Sequence, residues 1–388
     1  MKENWTYKKF GDVFNLQMGK TPSRDNLAFW GGENIWVSIA DLKGKYIDST
    51  KEHITDVAVR ESGINKIPKG TAIMSFKLTI GRTAITKCDL FTNEAIMSFE
   101  PKENGVVLAD YVYYYLNGCK WTGANKAVKG QTLNKKTISE NTFAYPPIDT
   151  QSRIVSELDL LQSIIGKQKA QLKELDNLAQ AIFYDMFGDP VENEKGWILK
   201  TMEDVCLNIV DCPHSTPKKS NRITDYPCIR TSELKEGSIY WNSMQYLEED
   251  EYIIRIARLK PIAGDIVFGR EGTIGDAVIL PNGYNFSLGQ RTMLLRVDGS
   301  LISNIFLQRV ILSECVKKQI RMVNVSSTVP HVNIKDFKRF EIPVPPLALQ
   351  QSFAAKIESI EKQKAAISKS LEETQKIFDY TMDKYFGK

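Results

Sequence analysis

The chain has 388 residues, with 51 lysines and arginines against 47 aspartates and glutamates and 42% hydrophobic residues. This is the composition of a globular protein with room for two or three domains. It excludes a membrane-spanning helix, because no apolar run approaches ~18 residues. The opening MKENWTYKKF lacks the apolar core of a secretory signal, so a cytoplasmic protein is expected. A net charge of +4 permits a nucleic-acid partner without requiring one.

In chain order, the first elements are short. IWVSIAD, TAIMSF and AIMSFEP read as strands, WGGEN, PKG and PKENG as turns, and YVYYYLNG from Tyr111 as a helix. After Pro146 and Pro147 the period changes. Ile154, Leu158, Leu161, Ile165, Gln168, Leu172, Leu175, Ala179, Ile182 and Met186 follow a strict 4-3 spacing, which predicts a long helix with a coiled-coil seam. Prolines suit the position just before such a helix, and Gly188 suits its end. The chain then returns to short strands in PCIRTSEL, DIVFGR, DAVILPNG and TMLLRV. After Pro345 and Pro346 it closes on a second helix with Phe353, Ile357, Ile360, Lys364, Ile367, Leu371, Thr374, Phe378, Thr381 and Tyr385 on the seam, ending near Gly387. Gln168 and Lys364 interrupt the two seams and would fix register. About 33 helical residues would span ~50 Å.

The second half repeats the first. Trp5 matches Trp197, KGTAIMSFKLTIGRTAI from Lys69 matches AGDIVFGREGTIGDAVI from Ala263, YPPIDTQ matches VPPLALQ, and DMFG matches KYFG. Several blocks agree in order, so one unit of roughly 190 residues is duplicated. The expected segments are 1–145, 146–188, 189–344 and 345–388, alternating mixed α/β bodies with long helices. The fold class is α+β. Four basic and five acidic residues from Gln151 to Met186, and six of each from Gln350 to Phe386, leave the positive surplus to the bodies.

No catalytic constellation emerges. MGKT at Met18–Thr21 has the end of a phosphate-binding loop, but Phe14 stands where the first glycine is needed. Cys206, Cys212, His214 and Cys228 fit no metal-ligand spacing. His53 carries no hypothesis. The informative segments are polar loops at matching places. Lys20, Thr21, Ser23 and Arg24 stand against His214, Ser215, Thr216, Lys218, Lys219 and Arg222. Lys77 and Arg82 stand against Arg270, and Lys129 and Gln131 against His331, with Arg291 in LGQRT. These residue types contact phosphates and base edges. Solvated surface loops are the plain alternative. Gly81 and Gly275 suit tight turns.

Taken together, GKTPS followed by FWGGENIWVSIADL, the paired I-x-x-G segments and P-P-x-x-x-Q opening each long helix resemble the specificity subunit of type I restriction-modification systems. The resemblance covers the whole chain. LGQRT departs from its counterpart FTNEA, and Asp149 and Thr150 stand where the second half has Ala348 and Leu349. The resemblance implies two target recognition domains, each reading half of a bipartite site in double-stranded DNA, and two helices packed antiparallel as spacer and scaffold. It implies a non-catalytic chain that docks two methyltransferase subunits, and two restriction-translocase subunits in systems that carry them. S-adenosylmethionine, ATP and magnesium would belong to those partners, with no cofactor or metal of its own. Two alternatives stay open: a recognition module of another methylation or restriction system, and an enzyme with a cryptic loop site.

Overall fold

The computed structural model describes residues 3–122, 125–127, 130–324 and 331–387, with the backbone alone at 125–127 and 130–132. The chain forms two compact units, one from residues 1–169 and 369–388, the other from 170–368. The long helices are thus shared. Each runs for 40 residues, Ile148–Phe187 and Leu347–Phe386, longer than the expected 33 because helix begins at the residue directly after each proline pair.

In the first unit a five-stranded sheet has the order Phe14–Met18, Ile96–Pro101, Ala72–Ser75, Thr83–Thr86, Tyr46–Ile47, antiparallel except for its last pair. The second unit repeats four of these strands as Cys206–Asp211, Thr292–Val297, Ile266–Gly269 and Ala277–Ile279. Each unit adds a three-stranded sheet. Trp30–Val37 pairs antiparallel with His53–Ile54 and parallel with Phe91–Thr92. Pro227–Ile229 does the same with Gln245–Tyr246 and Ser287–Leu288. A two-stranded ribbon also recurs, Thr6–Lys9 with Thr142–Tyr145 and Ile198–Thr201 with Glu341–Val344. One expectation fails here. WGGEN is not a turn but the bulged start of the strand Trp30–Val37. Gly31 takes a φ of +85°, and a Cβ on Gly32 would lie 2.4 Å from the Ile54 carbonyl oxygen. Glycine here serves close strand approach.

Helix Ala109–Gly118 covers the first sheet and Asn304–Leu312 the second. The cores are closed by helix ends. Phe386 inserts between Tyr111 and Tyr115, with ring centroids at 5.6 and 5.7 Å. Phe187 packs on Phe306 at 4.7 Å and Phe353 at 5.2 Å. Within each unit the start of one long helix meets the end of the other. In the first, Tyr385 donates to Glu157 and Gln168 to Ser370, both at 2.9 Å. In the second, Lys364 pairs with Asp176 at 2.7 Å. The residue numbers of each pair sum to nearly the same value, the mark of antiparallel packing. Both polar interruptions of the seam therefore carry cross-helix bonds. Of the seam positions, Ile154, Leu158, Ile165, Phe353, Ile357 and Ile360 are buried, and Leu161, Leu172, Leu175, Ile182, Ile367, Leu371 and Phe378 are half-buried. Leu160, Ile164, Leu178 and Ile377 stay exposed on the outer faces.

The glutamine of P-P-x-x-x-Q acquires a role. Gln151 is fully buried, donates to the Val106 and Pro146 carbonyls at 2.9 Å, and accepts from Leu108 N–H at 2.9 Å. Gln350 is equally buried, donates to Leu301 at 3.2 Å and Pro345 at 2.8 Å, and accepts from Ser303 N–H at 2.8 Å. Leu108 and Ser303 cap the sheet-covering helices. One side chain thus satisfies three backbone groups that burial would otherwise orphan. Among the described residues no helix is long and apolar enough to cross a membrane.

Candidate nucleic-acid interface

Four segments converge at one end of each large sheet, tied by the same backbone bonds. Gly19 N–H donates to Ile96 O and Cys212 N–H to Thr292 O, both at 3.2 Å. Phe76 N–H reaches Ala95 O, and Arg270 N–H reaches Arg291 O, both at 2.9 Å. Leu133 N–H bonds Phe76 O and Val332 N–H bonds Arg270 O, both at 3.0 Å. The strand-connecting turn closes with Gly81 N–H on Ser75 O at 3.0 Å and Gly275 N–H on Gly269 O at 3.2 Å, each glycine at φ +91°. These bonds fix the equivalences: Phe76 with Arg270, Lys77 with Glu271, Leu78 with Gly272, Glu94 with Gln290 and Ala95 with Arg291. The loops expected to meet a polyanion are brought together at this end in both units. Lys129 lies outside the described residues, as does the Gln131 side chain, although the Gln131 backbone belongs to the strand Gly130–Thr132.

The first loop is held differently in each unit. Trp36 and Trp30 donate their indole N–H to the carbonyls of Lys20 and Ser23, both at 3.1 Å. Arg24 lies 3.9 Å over the Trp30 ring and forks onto Glu52, its second bond at 3.1 Å. That bond holds the Glu52 carboxyl below the ordinary range against a smaller opposing effect of burial. Lys20 reaches the Ser62 carbonyl at 2.5 Å. In the second unit the buried Arg255 donates to the carbonyls of Pro213 at 3.3 Å and Ser215 at 2.6 Å. Arg222 forks onto Glu248 at 3.0 and 3.3 Å. Each loop is also clasped across the site by the threonine of its Thr-Pro pair: Thr21 donates to the Glu94 carboxylate, and Gln290 donates to Thr216 Oγ1 at 3.1 Å. The hydrogen bond from Thr21 keeps the Glu94 carboxyl below its usual range, with burial opposing.

Gly19 is thereby explained without a nucleotide. A Cβ there would lie 2.1 Å from the Thr92 carbonyl oxygen, so glycine is needed where the loop crosses the neighbouring strand.

The cations fall into two sets. Arg24 and Arg222 are tethered to carboxylates, which shapes the loops. Arg270 has a side chain only 12% exposed and pairs with Asp211 at 2.5 Å. His214 stands 3.3 Å from the same carboxylate. Arg291 is different. Its Nε is held by Glu271 at 3.1 Å, its side chain is 62% exposed, and its terminal nitrogens have no partner among the described residues. Its φ is +66°, a left-handed conformation that costs a non-glycine residue ~1–2 kcal/mol. Lys77, Arg82, Lys218 and Lys219 make no ion pair among the described residues. All but the half-buried Lys77 are exposed. Ser23, Ser215 and His331 are exposed beside them, and Glu271 forms a backbone bridge with His331.

Sequence reasoning missed Leu78, at φ +64° and 58% exposed on the same turn. The signal was available: aligning LTIG with GTIG sets Leu78 against Gly272, whose φ is +76°. Burial pushes the Cys228 thiol up to about 11 and the Cys206 thiol to about 12, so neither is a nucleophile at neutral pH. Among the described residues no His, Cys, Asp and Glu cluster has the make-up of a metal site.

Comparison with known proteins agrees with this geometry. The family model described as the type I restriction modification DNA specificity domain matches twice, over residues 2–176 and 194–376. The MjaIX specificity subunit of Methanocaldococcus jannaschii is 25% identical over 386 residues, covering 92% of this chain and 87% of its own. The EcoR124I/EcoR124II specificity subunit of Escherichia coli is 26% identical over 171 residues, 41% of each chain. The fold is that of the type I S subunit from M. genitalium, with a TM-score of 0.61 at 13% identity, covering 98% of this chain and 96% of the other. A chain solved in work on assembly and conformational transition of the type I system gives a TM-score of 0.59 at 14% identity, covering 100% and 98%. With the family's domain present twice and spanning nearly its whole length, the chain belongs to the type I restriction-modification specificity subunits, the non-catalytic members that supply DNA specificity.

Proposed function

We propose that the loop end of each unit reads one half of a bipartite site in double-stranded DNA, and that the paired helices carry the partner subunits. One observation supports this above the others: the same backbone frame recurs at both loop ends while its side chains change. A shared frame with exchanged chemistry suits two readers of different sequences. In this reading Lys77, Arg82, Lys218 and Lys219 face phosphates. Arg291, oriented by Glu271, presents its two terminal nitrogens to guanine O6 and N7. The second half-site then contains a guanine on which Arg291→Ala relaxes selection. A phosphate-contacting lysine behaves otherwise. Lys77→Ala should weaken binding to all sequences and reduce the salt dependence by about one ion. Unchanged binding and specificity in Arg291→Ala, Lys77→Ala, Lys218→Ala and Arg82→Ala together would place the interface elsewhere.

The exposed Leu160, Ile164, Leu178 and Ile377 support a reading in which two methyltransferase subunits cover the outer faces of the helices, with restriction-translocase subunits joining where present. S-adenosylmethionine, ATP and magnesium belong to those partners, and the complex works in the cytoplasm. The helices would also act as a ruler. Four residues inserted near Gln168 lengthen a helix by up to ~6 Å, one to two base-pair steps, and disturb the heptad least. Mapping methylated sites in cells carrying the complete system should then show a longer gap between unchanged half-sites. A gap that stays constant at full activity would remove the ruler.

A further inference from the structure

We propose that Leu78 is a specificity-determining residue of the first unit, making an apolar contact with the 5-methyl group of a thymine in the first half-site. This rests on the loop end being the DNA face. Three observations carry it. First, the turn does not need leucine. Gly272 occupies the equivalent place with nearly the same backbone, φ +76° against +64°, and the same closing bond from Gly81 or Gly275. Leucine is therefore retained in a conformation that glycine adopts freely. Second, the side chain is no part of a hydrophobic core. It is 58% exposed and belongs to none of the buried apolar clusters, whereas its neighbour Phe76 is 1% exposed. A strained backbone joined to an exposed apolar side chain is a combination that folding alone does not favour. Third, it is flanked by cations suited to phosphates. Lys77 precedes it and Arg82 closes the turn, neither paired to a carboxylate among the described residues. Contacts to phosphate position a protein, and contacts to base edges specify. A leucine has no hydrogen bond to offer, and the thymine methyl is the apolar feature of the major groove.

The chemical contrast across the duplication points the same way. Where the second unit has Glu271 and Gly272 on this turn, its exposed left-handed side chain is Arg291, on the adjacent segment. The first unit has Ala95 there. Leu78 and Arg291 are thus both left-handed, exposed side chains at a loop end, apolar in the first unit and cationic in the second.

The test uses the complex of this chain with its modification subunits and the target found by mapping methylated sites. Each thymine of the first half-site is replaced in turn by uracil, which lacks only the methyl group. One position should lose about fourfold in affinity, the worth of one methyl group removed from water. Leu78→Gly and Leu78→Asn both suit the left-handed backbone. In both, that uracil effect should vanish, non-specific binding and its salt dependence should stay at wild-type values, and Tm should not fall. The proposal is overturned if no uracil weakens binding, or if the effect persists in both variants. It is also overturned if the variants straighten a bent DNA while the uracil scan stays flat, since Leu78 would then wedge between bases. If Lys77→Ala and Arg82→Ala still weaken binding in any of those cases, the DNA face stands and only the role of Leu78 falls. If Lys77, Arg82 and Leu78 are all silent, the face itself is misplaced.

Discussion

The two loop ends share their backbone bonds and little else. The first clasps its loop with Thr21 on Glu94 and the second with Thr216 and Gln290. The first holds its loop by two indoles and the second by Arg255. The buried Phe76 stands at the position where the second unit has Arg270 paired with Asp211. Duplication has kept the backbone bonds that build the frame and exchanged the side chains that brace it, many of them buried, such as Trp36, Phe76 and Arg255. Backbone bonding tolerates little change, while the side chains packed around it can be exchanged as long as each loop stays held.

The comparison can be broken most severely by exchange. Replacing residues 1–145 with the corresponding part of a relative should change one half of the DNA target entirely and leave the other, as read by methylation mapping. Simultaneous change in both halves would mean that the units do not read independently. The next effect tests sameness. Gln151→Ala and Gln350→Ala each strip a buried clasp from three backbone groups and should each cost roughly 3 kcal/mol in denaturant unfolding. A loss in one unit alone would show that the frame is not equivalent. Arg270→Ala should cost about 2 kcal/mol, because Asp211, only 15% exposed, loses its guanidinium partner. Arg270→Met should recover part of that only when combined with Asp211→Asn. The smallest effect separates the two clasps by pH. The Glu94 carboxyl is held below its ordinary value, so its contribution is complete above pH ~4.5 and is lost as pH falls through the lowered value. Gln290 does not titrate. Glu94→Gln should therefore flatten acid unfolding of the first unit below pH ~4.5 and leave that of the second unchanged. An identical acid profile in the variant would remove Glu94 from the clasp's energetics.

Much of this was legible because burial writes a period into the sequence. The helix seam follows from 4-3 spacing alone, and its polar interruptions announced the places where Gln168 and Lys364 cross to the other helix. P-P-x-x-x-Q marked the helix starts, but the buried work of the glutamine shows only when Leu108 and Ser303 lie beside it. The loops were found through their residue types, yet composition does not say which cation is tied down. Arg24 and Arg222 read as free contacts, and their glutamates lie 28 and 26 residues away. Leu78 escaped for the opposite reason: an apolar residue in a sequence reads as core until its backbone angle and exposure are known. WGGEN failed because two glycines that usually signal a turn here allow a bulge and a close strand crossing.

The twin glutamines also bear on heredity. Each recognises carbonyl and amide groups of the backbone, present whatever side chains surround them, so the joint between body and helix is indifferent to which body it receives. Recombination between the two stretches of gene encoding P-P-x-x-x-Q would therefore deliver foreign or transposed bodies to a joint that accepts them. A lineage of such chains would acquire new DNA targets by shuffling whole segments, faster than by altering one base contact at a time.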